Sequence, residues 1–286
     1  MFGLNVGGLC ETNATFAPGG PDSWGGCWPG LQNTGVSPDQ NLTVVSGNQT
    51  YGPSYNGQTI SNQEFRGFVT VTGGNITFVN CWFRGGTAPS KRWLLDSRNG
   101  SNTVVIDSTF APMNPSVYID GVIASNTTLE RVDISGTVDG VKASDNVIIR
   151  NSYIRDMSWF ASDPDQGGGS THNDGVQILN GSNIQLIHNT ITPAGQNGSN
   201  AAVQITQDFG AVGSVLIEKN YVDYGGCTLN VANKPLSSLS GVSIIDNRFG
   251  HNQGFNNCTI KKQSGVTFAN YTGNLWGDND LPIPPT

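Results

Sequence analysis

The sequence predicts an all-β protein, a single-stranded right-handed parallel β-helix with an irregular N-terminal cap, and three observations predict it. The first is composition: charged residues make up 12% of the 286, glycine occurs 38 times, and Asn, Ser and Thr recur in almost every block, the signature of many short strands joined by turns. The second is a repeat of the form "NVxIxNNxI". The third is a further short strand ahead of most copies of that repeat.

The repeat appears as "NITFVNCWF" (75–83), "NTVVIDSTF" (102–110), "NTTLERVDI" (126–134), "NVIIRNSYI" (146–154), "NIQLIHNTI" (183–191), "SVLIEKNYV" (214–222) and "GVSIIDNRF" (241–249), with "GVTFANYTG" (265–273) as a frayed last copy. Ahead of most copies stand "GFVTV", "DGVIA", "DGVKA", "DGVQI", "AAVQI" and "CTLNV". Each unit therefore offers strand, turn, strand, bend and short strand before a variable loop. One such coil cannot bury its apolar side alone, so the coils must stack.

Alignment of the copies places Cys81, Ser108, Ser152, Asn189, Asn220 and Asn247 at one bend. Stacked at about 4.8 Å per coil, small polar side chains there hydrogen-bond along the column, so they read as scaffold, and His188 beside them reads the same way. Residues 1–52 lack the repeat and read as a capping segment that protects an open solenoid end. Residues 53–286 read as the β-helix domain.

Cys10 and Cys27 bracket a Gly- and Pro-rich stretch that has little else to hold it, and form the first expected disulfide; Cys227 and Cys258 form the second. Paired cysteines, several Asn-x-Ser/Thr sites (Asn13, Asn41, Asn48, Asn75, Asn126, Asn270) and scarce lysine suit a secreted, extracellular protein. The opening "MFGLNVGGLC" lacks the basic and apolar regions of a signal peptide as written. A net charge of −7 without a Lys/Arg cluster argues against a nucleic-acid partner. No apolar run reaches the roughly 18 residues that a membrane span needs, and a monomer is expected.

Within the strand that precedes each repeat, Val122, Val141, Val176, Val203 and Leu229 align, as do Ala124, Ala143, Ile178, Ile205 and Val231. The period of two then turns Ile123, Lys142, Gln177, Gln204 and Asn230 outward. From Lys142 onward this is a polar row, one group per coil, whose spacing matches the advance of sugars in an extended glycan. Just before it runs an aspartate column, Asp120, Asp139 and Asp174, close enough to raise a carboxyl pKa or to hold a Ca²⁺ ion between Asp139 and Asp174. Asp before Gly is also an ordinary turn device.

One loop is richer than the rest. Between Ile154 and Asp174 runs "RDMSWFASDPDQGGGSTHN", with Arg155, Trp159, Phe160, Asp163, Asp165 and His172, and long loops in compact repeats are commonly functional. The next loop, "TPAGQNGSN", is a candidate for the neighbouring wall.

These features resemble the pectate-lyase-like superfamily of right-handed β-helix proteins over about residues 59–275. "HNDGVQI" is similar to a strand of polygalacturonase-like hydrolases, but the paired Asp-Asp, Gly-His-Gly and Arg-x-Lys motifs do not follow it. The resemblance implies a secreted carbohydrate-active enzyme, first a polysaccharide lyase acting on a uronate-containing polysaccharide by β-elimination, with a C5-epimerase as a close relative. In that reading Lys142 or His172 is the base. Arg155, or Ca²⁺ on Asp139 and Asp174, neutralises the carboxylate, while Trp159, Gln177, Gln204, Asn230, Asp163 and Asp165 bind sugars. The alternatives are a glycoside hydrolase pairing Asp174 with Asp139, Asp163 or Asp165, and a glycan-binding solenoid without catalysis.

Overall fold

A computed structural model describes residues 10–194 and 199–284. The nine residues of the "MFGLNVGGL" start and most of the "AGQNGSN" part of the neighbouring loop (195–198) lie outside the described residues. Among the described residues three parallel sheets of nine, nine and ten strands run from Thr43 to Trp276, and each coil contributes one strand to each. This is a parallel β-helix.

Sheet I holds Gln49–Tyr51, Val69–Val71, Arg92–Asp96, Ile119–Ala124, Val141–Ala143, Asp174–Ile178, Ala201–Ile205, Leu229–Val231 and Ile260–Lys262. Sheet II carries the first half of each repeat, from Thr59–Ser61 to Val266–Thr272, and sheet III the second half, from Thr43–Ser46 to Leu275–Trp276. The inward residues of sheet I, Val122, Val141, Val176, Val203 and Leu229, are fully buried and meet the inward residues of sheet II, Val105, Leu129, Ile149, Leu186, Ile217 and Ile244, in one continuous core. Each such side chain contributes roughly 1.5–3 kcal/mol by leaving water.

The polar column of the bend is present and longer than the repeat suggests. Asn189 donates through N and Nδ2 to Asn220 Oδ1 at 2.8 and 2.9 Å, Asn220 likewise to Asn247, and Asn247 to Asn274. Ser152 N–H donates to Asn189 Oδ1, and Val132 N–H to Ser152 Oγ. Val132 itself is the apolar interruption of the column. The residue before each of these turns takes positive φ, at Asn80, Asp107, Arg131, Asn151, His188, Lys219 and Asp246.

A second ladder lies on the opposite corner and was not read from the repeat, although its residues begin five of the copies. Asn102 Nδ2 donates to Asn75 Oδ1 at 2.7 Å, Asn146 to Asn126 at 2.9 Å and Asn183 to Asn146 at 3.0 Å, all with φ near +50 to +60°. Asn tolerates that backbone and bonds locally, which explains its recurrence.

Both expected disulfides form, Cys10–Cys27 and Cys227–Cys258, and Cys81 is buried and free. The described part of the N-terminal segment packs along the flank of sheet III through residues 16–35. Trp28, fully buried, stacks on His188, Phe16 meets Tyr221 edge-on, and Gly35 N–H donates to Arg131 O. His188 is thus a clasp: Nδ1 meets Asn151 Oδ1 at 2.8 Å and Nε2 meets Asp22 Oδ2 at 3.0 Å. Within the stretch 1–52, Thr43–Ser46 and Gln49–Tyr51 already pair as strands. No helix among the described residues is long and apolar enough to cross a membrane.

Candidate functional site

Pairing in sheet I aligns Ile123, Lys142, Gln177, Gln204 and Asn230, the row expected from the sequence, and extends it to Asp96 on one side and Lys261 on the other. The row is internally bonded. Lys142 Nζ donates to Gln177 Oε1 at 2.8 Å, and Asn230 Nδ2 donates to Gln204 Oε1 at 2.8 Å.

Beside the row, at the start of the strands, the aspartate column is a buried chain of acceptors. Asp139 N–H donates to Asp120 Oδ1 at 3.2 Å and Asp174 N–H to Asp139 Oδ1 at 2.9 Å. The glycine after each aspartate has a packing reason rather than a turn reason. A Cβ on Gly121 would stand 2.3 Å from Gly140 O, and one on Gly140 would stand 2.5 Å from Gly175 O.

Lys142 ties column to row. Its ammonium bonds Asp139 Oδ2 and lies 3.5 Å from Asp120 Oδ2, while Lys91 reaches Asp120 Oδ1 at 2.9 Å. Asp120 and Asp174 are fully buried and Asp139 nearly so, whereas the Lys142 side chain keeps 20% exposure. Burial alone would lower the Lys142 pKa, but Asp139 and Asp120 outweigh it and raise the pKa above the usual lysine range. Lys142 is therefore a fixed positive charge at the sheet surface, unsuited to the role of neutral base. Lys91 was missed from the sequence because nothing in its loop shows that it folds back on Asp120.

Asp174 accepts from Gln177 Nε2 at 3.0 Å and from Asn200 Nδ2 at 2.9 Å. Burial, and then the neighbouring Asp139 charge, push its pKa up to about 7, against the pull of these two donors. An unfolded aspartate titrates near about 3.9. The stabilising contribution of this raised group is complete below about pH 4 and is lost as pH rises to about 7. Relative to Asp174→Asn, the wild-type chain should lose stability on the order of a few kcal/mol across that window and none above it. Urea unfolding at a series of pH values checks this, and a difference that does not change with pH would show that Asp174 is ionised throughout.

The residues do not fit a Ca²⁺ site at Asp139 and Asp174. All four carboxylate oxygens are taken, by Lys142 and the Asp174 N–H on one side and by Gln177 and Asn200 on the other, whereas Ca²⁺ calls for six to eight oxygen ligands. Among the described residues no group of three or more His, Cys, Asp or Glu is arranged for a metal. The cation that pairs with Asp139 is Lys142.

The rich loop is ordered and pinned to the coil beneath it. Ser158 N–H donates to Thr137 O, buried Asn173 donates from Nδ2 to Val138 O at 3.0 Å, and Phe160 and Thr171 close the loop base. His172, between buried Thr171 and Asn173 and two residues before Asp174, is exposed. Trp159 is half-buried and Asp165 exposed. Asp163 is buried and accepts from the Asp165 N–H, capping the turn Pro164–Gln166. Arg155 is not brought to the cluster: it stands on sheet III and grips Asp133 through two bonds at 2.9 and 3.0 Å and Asp156 at 2.8 Å.

Comparison of the sequence with known protein families finds no match, and comparison with curated proteins finds none. Among solved structures the chain is similar to the crystal structure of the Agl-KA catalytic domain, at 14% identity and a TM-score of 0.38, over 80% of this chain and 47% of that one. The chain spans about half the length of that neighbour.

Proposed function

We propose that the chain is a secreted carbohydrate-active enzyme, a polysaccharide lyase that cleaves a uronate-containing glycan lying along sheet I. The observation that carries this reading is Lys142, an ammonium kept charged by Asp139 and Asp120 at the surface of a hydrogen-bonding row. Such a charge suits the uronate carboxylate and the negative charge that develops on it when the C5 proton leaves. His172, exposed and two residues before Asp174, is the base. It takes the C5 proton, the electron pair forms the C4–C5 double bond, the C4–O bond breaks, and the leaving oxygen is protonated by water. Arg155, held by Asp133 and Asp156, has no part in this step. Two disulfides support an oxidising, extracellular location.

The test incubates the protein with alginate, polygalacturonate, glucuronan, hyaluronan and acidic bacterial exopolysaccharides, following ultraviolet absorbance of the unsaturated product together with reducing ends. Both signals should grow on at least one uronan, and His172→Ala should slow them by about 10²–10⁴-fold, the usual worth of a general base, without changing thermal stability. Reducing ends without ultraviolet absorbance would sink the elimination and favour hydrolysis, for which the raised pKa of Asp174 beside Asp139 is the supporting observation.

A further inference from the structure

The sheet I row changes character beyond Lys142. The next three coils place Gln177, Gln204 and Asn230 in register, all uncharged, and the fourth places Lys261. Lys142 and Lys261 thus bracket a neutral stretch of four coil steps, about 19 Å at ~4.8 Å per step. The Lys261 side chain is exposed and has no hydrogen-bond or ion-pair partner among the described residues. Gln204 is buried at 9% exposure, spends Oε1 on Asn230, and has an Nε2 with no partner among the described residues.

The loops beside this stretch carry three large exposed apolar side chains. On the side where the strands end, Phe209 is 76% exposed and Leu236 43%. Their loops are stacked on one another, with Gln207 N–H donating to Lys234 O and Gln207 Nε2 to Asn233 O. On the side where the strands start, Phe255 is 66% exposed and lies over Gly226, whose N–H donates to Asn200 O. Asn200 is the residue that bonds Asp174, so this flank continues the corner of the Lys142 cluster. Bare Gly226 leaves room for the Phe255 ring, and the Cys227–Cys258 disulfide ties that loop to the strand start.

We infer that the glycan bound here is a heteropolysaccharide in which the acidic sugar at Lys142 is followed by neutral sugars over Gln177, Gln204 and Asn230, with the next acidic group at Lys261. This rests on the reading of sheet I as the glycan face. A homopolyuronate would bring a carboxylate to every coil of this stretch, where the row holds no cation, on a chain whose net charge is −7. Neutral pyranoses instead offer hydroxyls to the amides and C–H faces to Phe209 and Phe255. Sugars in an extended chain advance by roughly the coil step of ~5 Å, so a tetrasaccharide repeat with one acidic unit matches the distance between the lysines.

The experiment measures binding apart from turnover, by calorimetry on the His172→Ala protein with two probes: oligosaccharides of deacylated gellan, a linear polymer with one glucuronate per tetrasaccharide repeat, and size-matched oligogalacturonates. The gellan fragments should bind at least tenfold more tightly. Phe255→Ala, Phe209→Ala and Lys261→Ala, all at exposed positions, should each weaken that binding by about tenfold with unchanged melting temperature. Equal or tighter binding of the oligogalacturonates, no binding of either probe, or indifference to all three substitutions would overturn the inference. Gellan binding without cleavage by the wild-type protein would leave the inference standing and strike only the lyase chemistry. Cleavage of polygalacturonate with Lys261 and Phe255 dispensable would do the reverse.

Discussion

Lys142→Met should destabilise the protein by about 3 kcal/mol, the lower end of the cost of breaking a buried ion pair from one side, and abolish the proposed glycan cleavage. The lower end applies because Lys142 keeps 20% side-chain exposure while Asp139 and Asp120 keep 5% and 0%. Without the ammonium, Asp139 loses a charged partner and Gln177 Oε1 loses a donor. Part of the charge imbalance can be removed by neutralising a carboxylate. Lys142→Met combined with Asp139→Asn should therefore recover more than half of the lost stability, because an asparagine in that place still offers Oδ1 to the Asp174 N–H. Activity should not return. Urea unfolding of the two single variants and the double variant gives the coupling energy directly. Additive losses would mean that Lys142 and Asp139 are independent, and recovered activity in the double variant would remove Lys142 from the chemistry.

Asn220→Ala should cost on the order of 4 kcal/mol. Asn220 is fully buried and its Nδ2 donates to Leu186 O, Glu218 O and Asn247 Oδ1, while its Oδ1 accepts both Asn189 N–H and Asn189 Nδ2. Truncation strands several of these groups away from water, at about 1–3 kcal/mol for each that finds no other partner. Serine already serves at this bend in Ser108 and Ser152, where Oγ accepts the N–H of the coil before. Asn220→Ser should accordingly lose about half as much, because it keeps one acceptor. Asn220→Asp keeps the acceptor but sets a carboxylate against Asn247 Oδ1, and should be the most damaging of the three. Denaturant midpoints at constant slope order the variants; an alanine variant within about 1 kcal/mol of wild type would show that water replaces the ladder.

Much of the architecture was legible in the chain because a solenoid writes its geometry in sequence as a period. Inward Val176 and Ile178 alternate with outward Gln177, and the same alternation in neighbouring copies gave the register of the row from Ile123 to Asn230. The bend column could be aligned for the same reason, since each member stands two residues before an inward Phe, Ile or Val. Cys10–Cys27 followed from a Gly- and Pro-rich segment that has little else to hold it, and Cys227–Cys258 was the expected second pair. The Asn75–Asn183 ladder was also present in the letters, at the head of five repeats, but its meaning lay in a positive φ that the apolar pattern does not reveal.

The site was only half legible. Lys142, Asp139, Asp174 and Gln177 are on neighbouring coils at fixed register, so the period alone brings them together. Lys91 and Asn200 join them through loops whose paths carry no period. For Arg155 the sequence offered a charge close to the cluster along the chain, and the fold assigned it to the adjacent sheet, where Asp133 and Asp156 absorb it. The sequence by itself determined the coil, the core and the outward row, because local alternation and stacking are properties of successive residues. Only the tertiary structure decided that Lys142 bonds Asp139 beside Asp120, that Asp163 caps a turn, and that Phe209 and Phe255 stay exposed. Those facts depend on where long side chains and aperiodic loops end in space, and on burial, which sets the charge each group carries.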